Sequence, residues 1–202
     1  MSVNGFVFVD LETTGTKAAE HEILEIGFAL YSADLVPVER FEMLAVTTGT
    51  SALIERVRND PNFGVVTRMH TENGLFADLE TELATLGHNV PEDLSRYESE
   101  VVDILARWGV DESTPLCGTS HSMDRAFLDR WMPKVDAMFS YRIIDASSFR
   151  GAGLILDGER TRARLDLVAE YSAPTHRVAE DIHHSANLLR VFHGMAPIRL
   201  SV

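Results

Sequence analysis

The chain has 202 residues, 45% of them apolar, and its 31 acidic against 18 basic side chains give a formal charge of −13. That length fits a single domain with a full hydrophobic core. The charge excludes the extended basic surface with which proteins grip long nucleic acid nonspecifically. No apolar run approaches the roughly 20 residues that span a bilayer, and we expect no secretory leader ahead of the first strand and no membrane partner. A lone cysteine, Cys117, rules out an internal disulfide, suits a reducing cytoplasm, and reads as a small buried hydrophobe.

The first predicted element is a strand through Phe6-Val7-Phe8-Val9 that ends in Asp10-Leu11-Glu12 before the turn Thr13-Thr14-Gly15. Side chains at i and i+2 of a strand share a face, so Asp10 and Glu12 project together. Two adjacent carboxylates at the end of a buried strand repel and lose hydration unless a cation or proton compensates. We read them as half of a metal site. Glu22 to Tyr31 and about Val36 to Val46 follow as strands, giving an antiparallel meander. From Ser51 to Leu86 the pattern is helical but interrupted, at Pro61 and Gly64 and again at Asn73-Gly74. Pro91 to Gly109 carries Leu94, Tyr97, Val101, Ile104, Leu105 and Trp108 at helical spacing, a scaffolding helix packed on the sheet.

Pro115 to Gly118 is a short buried strand, and the helix Met123 to Met132 after it holds Asp124 in its first turn, where the helix dipole favours a carboxylate. Tyr141 to Asp145 reads as the next strand. Gly151 to Arg164 breaks into glycines and charge, with the basic run Arg160 to Arg164, and is expected to be a solvated loop or a phosphate-contacting arm. A short helix near Leu165 to Tyr171 precedes the final helix, whose start reads His176-Arg177-Val178-Ala179-Glu180-Asp181. Strands first, then strands alternating with helices, indicate an α/β fold with a mixed sheet.

Asp10-x-Glu12, then Asp124, then His176 with Asp181 five residues on, resembles in order and spacing the DEDDh family of 3′-to-5′ exonucleases, and within it the oligoribonucleases. The likeness is carried by Val9 to Gly15, Arg68 to Leu75, Pro115 to Ser120 with Asp124 to Leu128, Tyr141 to Ser147, and Thr175 to Ile182. It implies a ribonuclease-H-like exonuclease fold, a five-stranded mixed sheet flanked by helices, formed by residues 1–202 as one domain. It also implies a homodimer in which one subunit contributes to the other's site, and short single-stranded RNA as substrate.

The chemistry suits that assignment. Cleaving a phosphodiester needs an activated water, neutralisation of the charge developing on phosphorus, and stabilisation of the leaving 3′ oxygen. Two Mg²⁺ or Mn²⁺ ions roughly 3.5 to 4 Å apart, held by Asp10, Glu12, Asp124 and Asp181, meet the last two needs and help form the nucleophile. An imidazole titrates near neutral pH, so His176 suits the general base. By resemblance, Tyr141, Arg142, Ser147, Ser120 and His70 would cap a terminal 5′ phosphate, and Thr13 and Thr16 would lie along the substrate. Thr16 stands where oligoribonucleases carry an apolar wedge, and Val65, with Phe63 nearby, where they carry a stacking tryptophan. Both changes weaken base stacking, worth roughly 1 to 3 kcal/mol per base. Two other readings fit the same residues: an exonuclease for single-stranded DNA or longer RNA 3′ ends, and a non-catalytic nucleic-acid-binding module.

Overall fold

A computed structural model describes residues 3–200. Strands β1 (Gly5–Thr13), β2 (Ile23–Ser32) and β3 (Pro37–Leu44) form the expected antiparallel meander, each paired with the next. Two short strands, β4 (Leu116–Gly118) and β5 (Ile143–Asp145), extend the sheet in parallel on the other side of β1. The order β3-β2-β1-β4-β5 places β1 at the centre of a mixed five-stranded sheet. Its run of aromatic and β-branched residues is continuous because both faces are covered. β3, at the edge, can begin with Pro37, whose missing N–H costs no ladder bond there.

Between β3 and β4 come α1 (Thr50–Asn59), a 3-10 turn at Pro61–Phe63, α2 (Gly64–Glu72), α3 (Leu75–Leu86) and α4 (Ser95–Trp108). The interruptions fall where the prolines and glycines predict, although α4 starts four residues after Pro91. Tyr97 and Trp108 are buried in the core, and the Tyr97 hydroxyl donates to the Val46 carbonyl at 2.7 Å. β4 leads into α5 (Ser122–Trp131) and the short α6 (Pro133–Asp136). After β5 come α7 (Ala146–Leu156), α8 (Gly158–Ala169) and α9 (Val178–Phe192).

The two faces of β1 build different cores. Val7, Val9 and Leu11 pack with α4, α5 and α6 through Val101, Leu105, Phe127, Leu128 and Val135. Phe8 on the other face packs with Ile182, Ala186 and Leu189 of α9, Val168 of α8, and Cys117. Asp10 and Glu12 continue that second face, so the strand delivers them under the first turn of α9. Gly27 of β2, opposite Asp10 in the register, makes this approach possible: a Cβ there would lie 2.6 Å from Val178 Cβ. Burial pushes the Cys117 thiol up to about 12, consistent with a packing role.

Two expectations are corrected. The strand expected from Tyr141 begins only at Ile143, and Tyr141 stands 80% exposed beyond the sheet edge. The segment Gly151 to Arg164, expected as a loop, is instead a helical hairpin. Helix interiors tolerate glycine at about 1 kcal/mol each, and here the tertiary arrangement uses one of them. A Cβ at Gly153 would come within 2.6 Å of Thr161 Oγ1, so its absence lets α7 and α8 pack closely. Asp145 and Asp157 cap the two helices by accepting from the Ser147 and Arg160 N–H groups.

Candidate active site

The site forms where the end of β1 meets the start of α9. Glu12 is buried at the last pleat of β1. His176 lies in the loop before α9 at φ +57°, and Asp181 is in the helix's first turn. Ligand atoms of Glu12, His176 and Asp181 all lie within 4.8 Å of one another. Asp181 Oδ1 accepts from the Thr175 N–H at 2.7 Å, which ties the loop to the helix it precedes.

Asp124 arrives from α5, the layer on the opposite face. It is 2% exposed; Oδ1 accepts from the Leu11 N–H at 3.1 Å and Oδ2 stands 3.5 Å from His121 Nδ1. Position in the first turn of α5 is thus only part of its role, since the carboxylate is turned inward to the end of β1. His121 is fully buried, and it keeps this rotamer against Gly118, where a Cβ would overlap its ring.

Electrostatics make the cluster hospitable to cations. Burial raises the Asp10 carboxyl well above its usual range, and the charges of Asp124, Glu12, Asp181 and Glu25 add to the effect. Burial likewise pushes Glu12 up to about 8, reinforced by Asp181, Glu25 and Asp124 and opposed by Arg177. Asp181 is raised too, chiefly by burial. Acids this crowded resist ionising together without positive charge nearby, and oxygen donors suit hard divalent ions. The four carboxylates Asp10, Glu12, Asp124 and Asp181 fit such ions.

Two residues at the centre of this arrangement were missed in the sequence. Glu25 of β2 faces Glu12 directly across the strand pair and is 3% exposed. It receives the Arg177 guanidinium through Nε at 3.1 Å and Nη2 at 2.8 Å, and the Val178 N–H at 3.3 Å, so a strand side chain caps α9. Arg177 Nη1 also reaches Asp78 of α3 at 2.8 Å. The only hint of this was a glutamate inside an otherwise apolar buried strand, a residue that demands a partner.

The other sequence-predicted residues are placed variously. His70 is fully buried, its Nε2 3.1 Å from the Thr13 carbonyl and 3.9 Å from Glu12 Oε2, and burial holds its pKa below the ordinary value. A neutral imidazole there donates to Thr13 and braces the end of β1. Thr13 is buried, with its hydroxyl donating to the Gly15 carbonyl at 2.7 Å, whereas Thr16 is exposed. Ser120 and Ser147 meet at Asp145: the Ser120 N–H (3.2 Å), the Ser147 N–H (2.8 Å) and the Ser147 hydroxyl (2.7 Å) all donate to Oδ1. Partial burial raises Asp145, but these bonds outweigh it and hold the carboxyl below its usual range. Tyr141 and Arg142 lie exposed at the sheet edge, the guanidinium 5.1 Å from the ring centroid. Val65, at the stacking position, is 69% exposed, and Phe63 packs edge-on against His21.

No family model matches the chain. Among curated proteins, the oligoribonuclease of Alkalilimnicola ehrlichii is 31% identical over 194 residues, covering 94% of this chain and 88% of that one. The oligoribonuclease of Mycobacterium leprae is 29% identical over 191 residues, covering 94% and 80%. That of Buchnera aphidicola subsp. Schizaphis graminum is 26% identical over 187 residues, covering 92% and 90%. Among solved structures, product-bound exonuclease I superposes with a TM-score of 0.60 at 12% identity, covering 94% of this chain and 43% of that one. Escherichia coli exonuclease I in complex with a 5cy-dA13 oligonucleotide gives 0.52 at 13%, covering 96% and 42%. The chain spans less than half the length of these exonuclease I chains, and what they share is the fold.

Proposed function

The chain belongs to the oligoribonuclease family of 3′-to-5′ exonucleases, and from that premise we propose that it hydrolyses short single-stranded RNA, releasing nucleoside 5′-monophosphates. The observation that carries the reading is the convergence of Glu12, His176 and Asp181 within 4.8 Å, at a strand end where Asp10 and Asp124 add two more acids.

In this reading Asp10, Glu12, Asp124 and Asp181 hold two divalent cations, Mg²⁺ or Mn²⁺. Bound there, the ions would supply charge neutralisation for the phosphoryl group and the leaving oxygen. His176 takes the proton from the attacking water. Its exposure suits that role, because the proton then passes to solvent and the imidazole is free for the next cycle. Ligand-side order comes from the residues beneath: Leu11 N–H aims Asp124, Thr175 N–H aims Asp181, and buried His70 fixes the Thr13 end of β1.

Short substrates follow from the surface as much as from the site. A charge of −13 opposes extended phosphate backbones. Tyr141 and Arg142 are the exposed candidates for a terminal phosphate, while Ser120 and Ser147 act through Asp145, whose carboxylate engages their donors. The homodimer has a surface available: Ile155 and Leu156 at the end of α7 are 86% and 85% exposed, on the helix that follows β5. A second reading, exonuclease action on single-stranded DNA, is favoured by one observation, the likeness in fold to exonuclease I held with a dA13 oligonucleotide.

Single Asp10→Ala, Asp124→Ala and Asp181→Ala variants test the catalytic assignment. Each should lose more activity than the roughly 10–100-fold typical for removing an outer-shell partner of a metal, with circular dichroism unchanged. A folded variant with full activity would refute the site.

A further inference from the structure

The residue after the general base is built into the sheet beneath the site. Arg177 lies between His176 and the first residue of α9, and three elements converge on it: β2 through Glu25, α3 through Asp78, and α9 through the Val178 N–H that shares Glu25. The Asn73 side chain donates to the His176 carbonyl, in the peptide that joins it to Arg177, and ahead of His176 the Thr175 N–H donates to Asp181 Oδ1 at 2.7 Å. His176 itself is held at φ +57°, which a residue with a Cβ keeps only when its surroundings impose it. The loop is therefore clamped immediately before and after the left-handed residue.

Charge gives the clamp a second effect. Glu25 faces Glu12 across the β1–β2 pair, so without Arg177 it would be a fifth acid beside the four expected to hold cations. The guanidinium fork occupies both Glu25 oxygens, at 2.8 to 3.2 Å, and leaves neither free.

We propose that Arg177 is a positioning residue for hydrolysis: its fork on Glu25 sets the backbone conformation that aims His176, and keeps Glu25 out of the cation-binding set. The proposal rests on the catalytic reading given above. It assigns Arg177 no contact with substrate, so the effect falls on turnover and not on binding.

The test uses the full chain and four forms: wild type, Arg177→Lys, Arg177→Met, and the Arg177→Met, Glu25→Gln double variant. Arg177→Met should lower kcat about 10–100-fold and leave KM for a short RNA within about threefold. Arg177→Lys should regain part of kcat, since one ammonium reaches one Glu25 oxygen but cannot reproduce the fork. Removing the orphaned carboxylate in the double variant should restore melting temperature but only part of kcat, because the loop that aims His176 still lacks the fork. Independently of activity, the Cε1–H resonance of His176, assigned among the eight histidines by its loss in His176→Gln, should shift or broaden in Arg177→Met while the distant histidines hold their positions. Full recovery of kcat together with melting temperature in the double variant would reduce Arg177 to a structural ion pair and overturn the proposal. So would an Arg177→Met protein with wild-type kcat and an unmoved His176 signal. A wild type that hydrolyses nothing would refute the catalytic reading instead, and the resonance would still decide the positioning role.

Discussion

Glu12 and Asp10 are where sequence and physical chemistry meet most directly. Their i, i+2 spacing at the end of an apolar run was legible as a shared face, and the structure places that face under α9. What the spacing could not reveal is the partner set, because Glu25 and Arg177 lie 152 residues apart and no local rule links them. The crowding makes a prediction for the metal-free protein. Glu12 is raised from 4.5 to about 8, and Asp10 and Asp181 move in the same direction. A raised acid stabilises the fold fully below its unfolded pKa, and that contribution is lost as pH climbs through the folded value. In excess EDTA the melting temperature should therefore fall between about pH 5 and pH 8. Mn²⁺ should raise it more at about pH 8 than at about pH 6, since cations bind the ionised acids and stabilise the state they bind. Differential scanning fluorimetry across that range checks both; a metal-induced shift that shrinks with rising pH would contradict the assignment.

At the scale of elements, the meander, the buried helix Ser95–Trp108 and the order of strands and helices could be read from hydrophobic period and turn residues. The α7–α8 hairpin could not. Gly151, Gly153 and Gly158 read as breakers, yet a glycine at a close helix crossing is a packing residue, and only the partner helix reveals which case applies. Asp145 and Asp157, each immediately before a helix, are of the residue type that caps helix N-termini, and in the structure both do so. Gly27 illustrates the same point with functional consequence, since nothing within β2 explains it and Val178 of α9 does. Replacing it with alanine should cost about 1–3 kcal/mol through overpacking, read as a lower denaturation midpoint in urea. It should also cut kcat as α9 lifts with His176 and Asp181, because a misplacement near 1 Å can cost on the order of 100-fold. Unchanged stability and turnover in Gly27→Ala would mean that α9 does not seat on β2 as described.

For the whole molecule, the proposed function makes charge and assembly the features that select what reaches the site. The acidic surface disfavours long strands, and the exposed Ile155 and Leu156 offer a second copy something to cover. Light scattering should find a dimer, and Ile155→Glu with Leu156→Glu should convert it to a monomer with weakened use of 5′-phosphorylated substrates. A wild-type monomer would refute the proposed cross-subunit phosphate cap and leave the proposed metal site untouched. The central claim, turnover of short RNA, is tested most directly by a time course with Mn²⁺ on 5′-labelled RNA of two, three, five, seven and about twenty nucleotides, beside DNA of the same lengths. Rapid cleavage confined to the shortest RNAs is the predicted result. Stepwise shortening of the long strands, or equal cleavage of DNA, would contradict it and point instead to a general exonuclease whose strand path runs along the arginines of α8.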